Sequence, residues 1–100
     1  MEGYFIDDKG IKTIIPSDTK VLHLSYMDLV EIVCNSELRI LDCSNNKLTK
    51  LILNDNLKDL CCYNIHQLTE LILNENLSYL KCDINTKLTN IDKNTNIHIY

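Results

Sequence analysis

The chain has 100 residues, 45% hydrophobic and 24% charged, enough for one core and too few for a set of independent domains. Ten basic residues against fourteen acidic ones leave a formal net charge of -4, so no broad positive field attracts phosphate backbones, and nucleic acid is not an expected partner. No run of 18 apolar residues occurs and the first ten residues, MEGYFIDDKG, are acidic where a leader would be apolar; no membrane span or signal peptide is expected, and the sequence predicts a cytoplasmic, intracellular protein. In chain order, residues 1–20 come first. Tyr4-Phe5-Ile6 and Ile11 to Ile15 flank Asp7-Asp8-Lys9-Gly10, which predicts an N-terminal hairpin cap whose turn uses Gly10 at positive φ. Pro16-Ser17-Asp18 then turns the chain into the first coil.

Leu 16, Ile 13 and Asn 12 dominate the composition while Ala is absent, a bias typical of a short repeated unit. The unit is visible in LRILDCSNNKLTKLILNDN (38–56), LKDLCCYNIHQLTELILNEN (57–76) and LSYLKCDINTKLTNIDKNTN (77–96). Its columns are Leu38, Leu57, Leu77; Leu41, Leu60, Leu80; Cys43, Cys62, Cys82; Leu48, Leu68, Leu88; and Leu51, Leu71, Ile91. A degenerate earlier copy runs through Leu22, Leu24, Leu29, Ile32 and Cys34. Within Leu41-x-Cys43 and Leu51-x-Leu53 the apolar residues recur every second position, the strand period, and each pair is followed by Asn, Asp or Ser. A half-unit of this length has no room for both strand and helix. The sequence therefore predicts a mainly β, right-handed solenoid over 21–96, with two facing parallel sheets, about four coils and little or no helix, closed by a terminal strand or cap at 97–100.

The pattern L-x-x-L-x-C/L-x-x-N-x-L, carried by Leu38, Leu41, Cys43, Asn46 and Leu48 and by their counterparts, resembles the leucine-rich repeat family, in particular its short class of 20 to 21 residues. Two departures stand out: one extra residue puts Ile65 where Asn46 stands, and Lys93 occupies the column of Leu53 and Leu73. The resemblance implies protein binding by a rigid sheet face.

The candidate chemistry is thin. Cys43, Cys62 and Cys82 share one inward column with parallel Cβ directions, which suits neither a disulfide nor tetrahedral zinc; they read as small buried hydrophobes kept reduced. Alternation turns Cys61 outward as the one candidate reactive thiol, with no base placed to activate it. His23, His66 and His98 form no triad by spacing, and the outward carboxylates Asp42, Asp59 and Asp83 form no catalytic pair. Asn56, Asn76 and Asn96 are expected to bond backbone at the turns. No cofactor, metal or catalytic residue is predicted.

The outward sheet positions remain. On the first sheet they are Val21, His23, Ser25; Ile40, Asp42, Ser44; Asp59, Cys61, Tyr63; and Tyr79, Lys81, Asp83. Of these, Asp42, Tyr63, Tyr79 and Lys81 make the expected contact patch for a protein partner, because tyrosine offers large contact area at small entropy cost. On the second sheet, Asn35, Asn54 and Asn74 also point outward and Asn90, Asp92 and Asn94 complete the last coil, while Val33, Ile52 and Ile72 form an outward apolar column. With Ile97 and Ile99 at the coil end, that column supports the competing expectation of a self-associating structural protein, such as a homodimer.

Overall fold

The computed structural model describes residues 1–68, 70–83, 86–89 and 96–99. Eleven strands and no helix occur among them: β1 (Gly3–Asp7), β2 (Lys12–Ile15), β3 (Val21–His23), β4 (Leu29–Val33), β5 (Ile40–Asp42), β6 (Lys50–Ile52), β7 (Asp59–Cys62), β8 (Glu70–Ile72), β9 (Tyr79–Cys82), β10 (Lys87–Thr89) and β11 (Asn96–Ile99). Odd-numbered strands from β3 onward stack in parallel in the order β11-β9-β7-β5-β3, one per coil, so the chain is a β-solenoid of about four turns. Such a coil buries its leucines only against its neighbours.

The first sheet keeps the register of the repeat. Leu22 pairs with Leu41, Leu41 with Leu60, Leu60 with Leu80 and Cys62 with Cys82. Apart from Leu22, which is half-buried and packs against it, these residues belong to one core cluster with Leu38, Leu57, Leu77, Leu48, Leu68 and Leu71. The five cysteines are all free, with Cys34, Cys43, Cys62 and Cys82 buried.

On the other flank the expected continuous sheet is interrupted. β4 pairs with β6 and β8 with β10, but β6 and β8 are not joined by a ladder. Cys34 N–H donates to Ile52 C=O (3.0 Å) and Leu73 N–H to Thr89 C=O (2.8 Å), whereas the equivalent bond from Leu53 to Ile72 is not made. A cleft of about 330 Å³ lies in the gap, lined by Thr49, Lys50, Leu51, Ile52, Leu53, Leu68, Glu70 and Ile72.

The last coil also departs from the expected register. Leu88 sits beside Leu71 rather than Leu68, and Ile97, on the terminal strand expected there, sits beside Leu80. From Leu80 to Ile97 the step is 17 residues, shorter than the repeat. Asn96, expected at a turn, is therefore in β11 beside Tyr79. The expected positions of Ile91, Asn90, Asp92, Lys93 and Asn94 lie outside the described residues; Lys87 and Thr89 stand next to Glu70 and Ile72 instead.

The N-terminal strands form an antiparallel hairpin, Tyr4 opposite Ile14 and Phe5 opposite Thr13, with Gly10 at φ 81°. β1 adds itself antiparallel to the edge of β4, with Tyr4 opposite Val33 and Phe5 opposite Ile32. This places Phe5 against the core and covers the first edge of the second sheet.

Candidate interaction face

The turns fix how the faces are presented. Asn46, buried between coils, donates from Nδ2 to the carbonyls of Leu24 (2.8 Å) and Cys43 (3.0 Å) and accepts at Oδ1 from the N–H groups of Met27 and Leu29 (3.0 Å each). In the next coil Ile65 stands in its place, and one coil further Asp83 does the accepting: its carboxylate takes the N–H groups of Asn64 (2.8 Å) and Ile65 (2.9 Å). Ile65 is itself fully buried, so the side chain that displaced the asparagine joined the core.

A second asparagine row was expected outward and is turned inward. Asn35 is fully buried, with Nδ2 donating to the Thr19 carbonyl (2.7 Å); Asn54 Nδ2 reaches the Asn35 and Leu38 carbonyls, and Asn74 Nδ2 those of Asn54 (2.6 Å) and Leu57 (3.2 Å). Strand alternation fails here because the chain has already begun to turn. Asn56 and Asn76 do bond the preceding coil, through the carbonyls of Ser36 and Asp55, but from the exposed side. Ser44 is likewise buried, not outward, and its Oγ accepts from Tyr63 N–H (3.2 Å).

Outside the first sheet, strand pairing generates two rows. One runs His23, Asp42, Cys61, Lys81, His98; the other runs Val21, Ile40, Asp59, Tyr79, Asn96. Three of the four residues expected at the contact patch are brought together: Lys81 Nζ lies 4.3 Å from the centroid of the Tyr63 ring, and Tyr79, two positions before Lys81 on β9, stacks tilted on His98 with ring centroids 5.2 Å apart. Asp42 is two strands from Lys81, with Cys61 between them, and its Oδ1 accepts from Ser44 N–H (3.1 Å). His98 was missed as a member of this patch; the 17-residue final step that brings it beside Lys81 has no signature in the repeat.

Electrostatics disfavour the thiolate of Cys61. The Cys61 thiol is pushed up from its ordinary value, first by partial burial and then by the Asp42 carboxylate, with Lys81 opposing. A thiol held protonated is a poor attacking group. Burial pushes Cys34 up to about 12 and raises Cys43 and Cys62 strongly. His23 and His66 are both exposed, one in a strand and one in a turn.

No group of three or more His, Cys, Asp or Glu side chains that could hold a metal occurs among the described residues. No helix among them is long and apolar enough to cross a membrane. Comparison with protein-family models, curated proteins and solved structures finds no match for this chain.

Proposed function

We propose that the chain is a non-enzymatic protein-interaction module of the leucine-rich repeat kind, working in the reducing cytoplasm and binding a protein partner through Asp42, Tyr63, Tyr79 and Lys81. The observation that carries this reading is the five-stranded parallel sheet, whose stacked coils hold Lys81 against the Tyr63 ring and Tyr79 against His98 before any partner arrives. Preordered aromatic and cationic groups lose little freedom on association, so more of the contact energy appears as affinity. Aromatic residues are also the usual anchors of protein interfaces. The free cysteines suit a reducing compartment.

The test is a pair of variants, Tyr79→Ala and Lys81→Glu, compared with the native chain by quantitative pull-down from the source cell. Proteins enriched by the native chain should drop at least about tenfold with either variant, the usual effect of removing an interface anchor. Retention of the same proteins by both variants, each with an unchanged circular dichroism spectrum, overturns the assignment.

A further inference from the structure

The second flank carries a surface whose chemistry is complementary to itself. Across its strands one outward row runs Lys12, Ile6, Glu31, Lys50, Glu70, Lys87. After Ile6 the signs alternate strictly: minus, plus, minus, plus. Beside it runs an apolar row of Ile14, Tyr4, Val33, Ile52 and Ile72, with Ile52 and Ile72 47% and 61% exposed. The two rows cross the gap between β6 and β8, where Lys50, Ile52, Glu70 and Ile72 all line the 330 Å³ cleft.

The geometry points to a homodimer in which a second copy of this chain stacks on this face about a two-fold axis parallel to the strands and running between β6 and β8. The direction of the axis follows from the rows. A two-fold along the strands lays the charged row on the charged row and the apolar row on the apolar row; one along the stack would lay charges on isoleucines and bury them unpaired.

The position of the axis follows from the signs together with the overlap, since an axis between β8 and β10 would oppose only Glu70 and Lys87 of the described row. Between β6 and β8 it sets Lys50 against Glu70 of the second copy and Glu31 against Lys87, with no like charges opposed. Through β6 it would set Lys50 against itself and Glu31 against Glu70. Between β4 and β6 it would oppose Lys12 and Lys87. In the chosen arrangement Ile52 meets Ile72 of the second copy directly over the cleft, which receives their methyl groups. Inside one copy Lys50 Nζ lies 3.7 Å from Glu31 Oε2, so opposite charges are already neighbours along the row.

Four strands at about 4.8 Å spacing and three residues at about 3.3 Å give a contact of roughly 20 by 10 Å. That is well under the roughly 800 Å² per partner of a standard stable interface, so the dimer is weak and reversible. It occupies the flank away from Tyr63 and Tyr79 and does not depend on the partner proposed above.

Sedimentation equilibrium of the intact chain between about 10 µM and about 1 mM decides the matter, a range that brackets weak association. The weight-average mass should rise toward twice 11.6 kDa. Ile52→Lys and Lys50→Glu should each weaken association at least about tenfold. Adding Glu70→Lys to Lys50→Glu restores opposed signs across the dimer and should recover it. A native chain monomeric throughout the range overturns the proposal. So does a dimer that survives Ile52→Lys, one the charge swap fails to rescue, or one abolished instead by Ile97→Lys, which would place assembly at the coil end. Should Ile52→Lys fail to fold, the charge-swap pair alone decides.

Discussion

One turn of the coil demands the left-handed backbone region in three successive units: Tyr26, Asn45 and Asn64 have φ of 59°, 60° and 56°. Asparagine tolerates this region because its short polar side chain bonds locally, and Asn64 Nδ2 donates to Asn45 Oδ1 (2.6 Å) along the column. Tyrosine has no such compensation, and Tyr26 is 80% exposed, so its ring recovers little by packing. Tyr26→Asn should therefore stabilise the fold by about 1 kcal/mol, raising Tm by roughly 4–8 °C in a domain of this size. A thermal melt of the variant no higher than that of the native chain would show that the ring contributes more than its exposure suggests. The asparagines were legible as turn residues; which of them are buried was not. Asn35, Asn54 and Asn74 look outward by alternation, and only the path of the turn shows them facing the preceding coil.

At the level of elements, the repeat dictated the pairing of the first sheet from β3 to β9 residue by residue, because Leu41, Leu60 and Leu80 must share the same inward layer. The second sheet obeys a weaker rule. Its strands β6 and β8 each keep one inward leucine, Leu51 and Leu71, yet no ladder joins them. The hairpin depends on a contact that no periodicity encodes. A Cβ at Gly3 would lie 2.2 Å from Val33 O and 2.5 Å from Asn35 N, both backbone atoms that cannot swing away. Gly3→Ala should lower stability by about 1–3 kcal/mol through displacement of β1 from β4, read as a reduced urea midpoint. Gly10 is different: nothing lies near its Cβ position, and its φ of 81° is the constraint. A Gly3→Ala midpoint equal to the native one would mean that β1 is not seated as described.

For the molecule as a whole, the buried thiols set its response to alkali. Cys34, Cys43 and Cys62 have folded pKa values raised by burial above the ordinary value of 9.0, Cys34 to about 12. An acid whose folded pKa is raised contributes its full stability below the unfolded pKa and loses it as pH rises toward the folded value, because the unfolded chain ionises first. Urea midpoints should be level up to about pH 8 and fall between about pH 9 and 12. In the native state a thiol reagent at neutral pH should reach Cys61, slowly, and the other four only on denaturation. Rapid reaction of all five without denaturant would show that the column is not a closed core.

By itself the sequence determined the coil: an apolar residue every second position, the same columns every 19 to 20 residues, and turn residues between them leave stacking as the one way to bury the leucines. The tertiary structure decided where that logic runs out. A shortened last coil, a gap between β6 and β8, and a hairpin added to the edge of β4 arise from contacts between units. A repeat specifies what each unit does to an identical neighbour; it carries no term for a neighbour that differs, or for the first and last units, which have a neighbour on one side alone.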